Sequence, residues 1–107
     1  MVQDGMNSQT ERAISHLLTP ADPLYTDSRS YFVLDFFWHY SKIMHAHDFA
    51  GMRAEDIQAG SFVLINKQRV EFLKSLYGYK APQFYTGPPK LWVNKWHSDS
   101  ADLYQIP

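Results

Sequence analysis

The chain has 107 residues, 45% of them hydrophobic and 16% aromatic, and its 10 Lys and Arg against 11 Asp and Glu give a net charge of −1. This length and composition predict one globular domain, residues 1–107, and the charge balance argues against a generally basic nucleic-acid-binding protein. The absence of cysteine excludes disulfides, a thiol nucleophile and Cys-ligated zinc. No signal-peptide pattern and no apolar run of about 18 residues is present, so we expect a cytoplasmic protein that does not enter a membrane.

The first predicted element is a short amphipathic helix near the N-terminus. Residues 1–7 are polar and are expected to be frayed. Ser8 followed by Glu11 fits a capping box, in which both side chains accept hydrogen bonds from backbone N–H groups at a helix start. An apolar stripe at helical spacing, Ala13, Ile14, Leu17 and Leu18, then predicts a helix over 9–18. Residues 20–29 contain two Pro and two Asp and are predicted to form an irregular loop.

The most apolar part of the chain is the stretch 30–48, which is rich in Phe, Tyr and Trp. Projected at about 100° per residue, its aromatic and aliphatic side chains fall in one arc of roughly 200° and leave a narrow polar strip. A strand is disfavoured because Asp35 interrupts one alternating face and the pattern is too long. We therefore predict a central helix over 30–48 that is buried on most of its circumference.

Three further elements follow. A short helix is predicted over 53–59, with Gly60 placed to end it in a left-handed conformation. The apolar run 61–65 fits either a short strand or part of a helix, because periodicity does not distinguish the two. Asn66 is a candidate N-cap for an amphipathic helix over 67–77.

The C-terminal part differs from the preceding segments in its amino-acid composition. Residues 79–90 are rich in Pro and aromatic side chains, which indicates an ordered loop and not a flexible linker. Residues 91–96 are predicted to form a short strand or extended segment, and the tail holds a candidate one-turn helix. The predicted fold class is therefore mainly α: a small domain of three to five helices around the 30–48 helix, with one or two short strands near 61–65 and 91–96.

Imidazole and carboxylate groups, which are common metal ligands, cluster at the end of the 30–48 stretch. His45, His47 and Asp48 could converge if the helix ended before them, and His97 could complete the site. Two His ligands on one helix face need a spacing of three or four residues, however, and His45 and His47 are two apart. We therefore expect no metal or other cofactor, and these four residues support only an alternative hypothesis, a small His-based metal protein or enzyme.

The segment 67–96 combines basic and aromatic side chains, with six Lys and Arg against one acid. Basic groups bind a phosphate backbone while rings stack on unpaired bases, and the same composition suits an acidic protein surface. The predicted binding residues are Arg69, Lys74, Tyr79, Lys80, Tyr85, Lys90, Trp92, Lys95 and Trp96.

Arg69 is exceptional because it falls on the apolar side of the predicted 67–77 helix. A buried Arg rarely lacks an acidic or phosphate partner. Within the chain, Asp35, Glu55 and Asp56 are the candidates for that partner.

The sequence contains no recognisable catalytic motif, whereas its aromatic excess is typical of surfaces that bind a partner. We therefore expect a non-enzymatic interaction module, a homodimer that binds another protein through an aromatic-rich face. The alternative is a nucleic-acid-binding domain that uses 67–96, whose affinity would fall steeply with added salt.

Overall fold

The computed structural model of the chain describes residues 6–34, 46–49, 52–69, 72, 75, 84 and 87–107. These residues form a mixed α/β fold built on one five-stranded sheet. In chain order the elements are helix α1 (Ser8–Leu17), strand β1 (Leu24–Thr26), helix α2 (Ser28–Phe32), strand β2 (Ala46–Asp48), a 3₁₀ helix (Ala54–Asp56), and strands β3 (Phe62–Asn66), β4 (Val93–His97) and β5 (Ala101–Gln105). Within this part of the chain, no helix is long and apolar enough to cross a membrane.

The strands lie in the order β2-β1-β3-β5-β4. β1 pairs in parallel with both β2 and β3. β5 lies between β3 and β4 and pairs antiparallel with each of them. The first half of the chain therefore contributes a parallel unit and the second half an antiparallel hairpin, and β3 joins the two.

The prediction of a mainly helical fold is wrong. The predicted loop 20–29 contains β1, which is too short, at three residues, to show an alternating pattern. The predicted helix over 30–48 does not reach its expected end: α2 covers Ser28–Phe32, and Ala46–Asp48 form β2. Residues 35–45 lie outside the described part. Pairing with β1 gives Ala46–Asp48 a strand conformation that the local helical pattern did not indicate.

The predictions for the shorter elements of the second half of the chain are partly confirmed and partly wrong. The short strands expected near 61–65 and 91–96 are confirmed as β3 and β4. The one-turn helix expected in the tail is wrong, because β5 occupies that region and pairs with its neighbours on both sides. Of the helix expected over 53–59 the structure shows one 3₁₀ turn, although Gly60 does adopt the left-handed conformation, at φ 87°.

The predicted N-terminal helix is confirmed as α1, but its cap differs. Asn7, not Ser8, is the N-cap, and its side-chain Oδ1 accepts a 3.0 Å hydrogen bond from the Thr10 backbone N–H. The Asn7 side-chain amide also donates to Ser100 Oγ at 3.1 Å. Asn7, expected to be frayed, therefore ties the start of α1 to the turn before β5.

The predicted helix over 67–77 is visible at its start. Residues 67–69 are helical, as are residues 72 and 75, and the other positions lie outside the described part. The Asn66 side chain accepts a hydrogen bond from the Arg69 backbone N–H at 3.4 Å, which is the geometry expected of the predicted N-cap.

Two hydrophobic clusters lie on opposite faces of the sheet, and β3 contributes to both. Every residue of β3 is buried, which explains why its sequence is a continuous apolar run and not an alternating one. The cluster under α1 consists of Ile14, Leu18, Leu24, Leu34, Phe62, Leu64, Ala101 and Leu103. The cluster on the other face consists of Phe49, Ile57, Val63, Ile65, Phe84, Trp92 and Ile106.

Candidate functional site

An open depression of about 780 Å³ lies between α1 and the β4–β5 hairpin. We call it the α1–β4 groove. Its lining residues are Gln9, Arg12, Ala13, His16 and Leu17 from α1, and Lys95, Trp96, His97, Ser98 and Asp99 from the hairpin.

The aromatic part of the groove is Trp96, and a β-bulge places it there. Asn94 pairs with Tyr104 and Trp96 with Leu103, so the register skips Lys95. The Asn94 side chain donates across this irregularity to the Trp96 carbonyl at 3.3 Å. Because the bulge shifts the alternation of side chains by one residue, Trp96 lies on the same face as Leu103 and packs against the cluster under α1.

The surface of the groove combines apolar and basic side chains. Leu17 is 42% exposed, and Trp96 is half-buried. Arg12, His16 and Lys95 are exposed around them, and Asp99 is the carboxylate among the lining residues. The groove therefore combines apolar side chains with mainly basic ones.

Hydrogen bonds and ion pairs around Asp102 hold the β4–β5 turn in place. Asp102 Oδ1 lies 2.5 Å from His97 Nδ1 and 3.3 Å from Lys67 Nζ. Lys67 Nζ also donates to the Ser98 carbonyl at 2.7 Å. Ser98 Oγ accepts from the Ala101 backbone N–H at 3.0 Å. The hairpin side of the groove is thus fixed to the residue that follows β3.

A second polar arrangement lies at the carboxyl ends of the parallel strands β1 and β3. Asp27 accepts hydrogen bonds from the Ser30 backbone N–H at 2.9 Å and from Ser30 Oγ at 2.7 Å. Ser30 Oγ in turn accepts from the Asn66 side-chain amide at 3.1 Å. These contacts fasten the start of α2 to the end of β3. Such an edge is a common place for ligand sites in sheets of this kind.

Arg69 completes this arrangement. Its Nε lies 3.7 Å from Asp27 Oδ1, and its guanidinium carbon lies 4.5 Å from the centre of the Phe72 ring. The Nε atom is buried and has no hydrogen-bond partner in the part of the chain that the structure describes. Burial raises the pKa of Asp27, and the Ser30 hydrogen bonds and the Arg69 charge oppose that shift without cancelling it.

The structure separates the predicted binding residues. Lys95 and Trp96 line the groove, whereas Lys90 is exposed outside it. Trp92 is 9% exposed and lies in the core, with its ring 5.6 Å from that of Phe84 and 6.3 Å from that of Tyr104. It is a core residue and not part of an exposed binding face. Lys74, Tyr79, Lys80 and Tyr85 lie outside the described residues.

The partner of Arg69 differs from the three candidates that the sequence suggested. It is Asp27, and the approach depends on the parallel pairing of β1 with β3. Glu55 and Asp56 instead lie near Arg53, at 3.5 and 3.6 Å from its Nε. Asp35 lies outside the described residues.

The weak metal-site candidates are also separated. His47 and Asp48 lie on β2, and His97 lies on β4, the strand at the opposite edge of the sheet. His47 stacks on the Tyr25 ring at 4.7 Å, and Asp48 accepts from Ser28 Oγ at 2.5 Å. His45 lies outside the described residues, among which no group of three or more His, Asp or Glu side chains could hold a metal ion.

Sequence reasoning missed the α1 side of the groove. Arg12 and His16 are four residues apart, which places them on one face of a helix, and this spacing was the available signal. Leu17 was expected in the buried stripe, but it is exposed at the groove.

No protein-family model, curated protein or solved structure matches the chain.

Proposed function

We propose that the protein is an interaction module that binds an extended segment of another protein in the α1–β4 groove. The observation that supports this proposal most directly is the open groove itself, with the exposed Leu17 and the half-buried Trp96 among its lining residues. Aromatic side chains are enriched in the energetically dominant parts of protein interfaces. A concave site that combines apolar and polar side chains is typical of peptide recognition.

The groove is a better candidate than the outer edge of β4. An exposed edge strand can add a strand from another protein, and proteins prevent this with bulges and with Lys side chains. β4 has both devices at one position, since its bulge falls at Lys95. The partner segment is therefore proposed to bind through side chains in the groove and not by extending the sheet.

Two earlier expectations stay predictions. A homodimer is compatible with the proposal, and light scattering of the purified protein measures it directly. Nucleic-acid binding through 67–96 has less support among the described residues, because Lys67 and Arg69 already face carboxylates and Trp92 is in the core.

Site-specific photocrosslinking in the native cell tests the proposed function. A photoreactive phenylalanine analogue replaces Leu17 in the groove, and a control variant has it in place of Glu55, which is exposed on the opposite side of the sheet. We expect a discrete protein adduct from the Leu17 position that is absent from the Glu55 position. Its formation should also be lost when Trp96→Ala is added.

Either of two results would overturn the proposal. Identical adducts from both positions, or no adduct from either, would mean that the groove is not a binding surface. Circular dichroism of each variant shows whether the fold is retained.

A further inference from the structure

We infer that the segment bound in the α1–β4 groove is an acidic peptide that also carries an apolar side chain. This inference rests on the proposed function and adds the chemistry of the partner. It follows from four observations: the charge of the groove, its apolar lining residues, its length, and the carboxylate partners of two other cations.

The charge of the groove is predominantly positive. Among the described residues, its lining contains Arg12 and Lys95 against a single carboxylate, Asp99. The two cations belong to opposite walls, since Arg12 is on α1 and Lys95 is on β4. A segment lying between the walls would therefore meet a positive charge on each side, which favours a negatively charged partner.

The apolar lining residues provide a contact surface for one apolar side chain of the peptide. Leu17 and Trp96 line the same groove as the two cations. An apolar side chain placed on them would be removed from water, whereas flanking carboxylates would stay near the cations. Apolar burial would supply affinity, and the charges would supply specificity.

The length of the groove limits the size of the segment. Its α1 wall is a helix of 10 residues, which corresponds to about 15 Å at 1.5 Å per residue. An extended chain covers this distance in about five residues. The site thus suits a short linear segment.

Two other cations of the described residues bear on whether the partner is a peptide or a nucleic acid. Lys67 lies 3.3 Å from the Asp102 carboxylate, and Arg69 lies 3.7 Å from that of Asp27. Because each of them already lies near a carboxylate, neither adds to the positive surface of the groove. Binding along a phosphate backbone requires a row of available cations. The two cations that line the groove, Arg12 and Lys95, match a short acidic peptide better.

Binding of labelled synthetic peptides to the purified full chain tests this inference. The probe is a peptide of about eight residues with two central Leu flanked by Glu. The comparison peptides have Gln or Lys in place of Glu. We expect the Glu peptide to bind about tenfold more tightly than the Gln peptide at low salt, and the Lys peptide to bind more weakly still.

Variants and spectra locate the binding. Lys95→Glu should lower the affinity for the Glu peptide about tenfold, whereas Lys90→Glu, the same charge change outside the groove, should leave it unchanged. In NMR spectra the peptide should shift the indole N–H signal of Trp96 and not that of the buried Trp92.

Three results would overturn the inference. Equal binding of the Glu and Gln peptides, tighter binding of a single-stranded oligonucleotide in competition, or no peptide-induced shift at Trp96 would each contradict an acidic partner. The Leu17 crosslinking result remains independent of these measurements. A specific adduct together with a failed Glu peptide would refute the acidic partner alone, and loss of the adduct would refute the groove as well.

Discussion

Arg69 Nε lies 3.7 Å from the carboxylate of Asp27, although 42 positions of the chain separate the two residues (69 − 27). Asp27 is 3% exposed, and both of its carboxylate oxygens accept hydrogen bonds from Ser30. The Arg69 guanidinium therefore compensates the charge of Asp27 without a direct hydrogen bond. Its distance of 3.7 Å exceeds hydrogen-bonding range.

The first prediction concerns the pH dependence that Asp27 confers. Burial raises its pKa above the ordinary value of 3.8, so the folded state binds a proton more readily than the unfolded state. The contribution of Asp27 to stability is fully present below pH 3.8 and is lost as the pH rises through the folded-state pKa. The free energy of unfolding of the wild type, minus that of Asp27→Asn, should therefore fall over the pH range, above 3.8, in which the folded protein releases the Asp27 proton.

Urea titrations of both proteins across this range measure that difference. The new amide in Asp27→Asn alters the hydrogen bonds to Ser30, but this offset is independent of pH. A difference that grew with pH would show that the folded protein favours the carboxylate and would contradict the prediction.

The second prediction concerns removal of Arg69. Arg69→Met should lower the free energy of unfolding by about 2–4 kcal/mol at neutral pH, because it leaves the Asp27 carboxylate buried without a nearby cation. A double-mutant cycle with Asp27→Asn measures the coupling between the two residues. The exposed Arg53, whose carboxylate neighbours are also exposed, supplies the matched control: Arg53→Met should have little effect.

The third prediction separates the two C-terminal tryptophans. Trp92→Ala should cost about 3–5 kcal/mol of stability, because it opens a cavity between Phe84 and Tyr104. Trp96→Ala should cost less than about 2 kcal/mol, because its side chain is half-buried. Chemical denaturation measures both, and Trp92→Phe provides a milder variant should Trp92→Ala fail to fold. Equal costs would mean that Trp96 is also a core residue and would weaken the groove proposal.

The fourth prediction tests which residue caps α1. Asn7→Ala should lower stability by about 1 kcal/mol, since the Thr10 N–H loses its acceptor and Ser100 loses a contact. Ser8→Ala, the adjacent change at the cap position that the sequence suggested, should be nearly neutral. Thermal unfolding of the two variants compares them, and the reverse order of effects would restore Ser8 as the cap.

The elements that could be predicted from sequence are those with local signals. α1 shows helical periodicity, and β3 and β4 are short apolar or weakly alternating runs between turn residues. β1 and β2 have three residues each, and parallel pairing between distant segments determines their conformation. For the same reason the 30–48 stretch, helical by its own pattern, ends in a strand.

The residues of the candidate site differ in the same way: only those with a local sequence signal could be predicted. Lys95 and Trp96 were predicted because basic and aromatic residues alternate locally in that segment. Arg12, His16 and Leu17 were not, because the packing of α1 beside β4 depends on the whole sheet. The bulge at Lys95 could not be predicted either. The spacing of Asn94 and Trp96 in the sequence suggests that both side chains lie on one face of the strand, whereas the register places them on opposite faces of the sheet.

The position of β3 has a consequence for the folding kinetics of the chain. Val63 pairs with Tyr25 on one side and Tyr104 on the other, each of them about 40 residues distant along the chain, and contacts of such high sequence separation slow folding. The cluster under α1 also needs Ala101 and Leu103 from β5. A nascent chain that has not yet synthesised β5 therefore exposes one edge of β3 and part of this cluster. The native sheet can therefore form completely only after β5 has been synthesised.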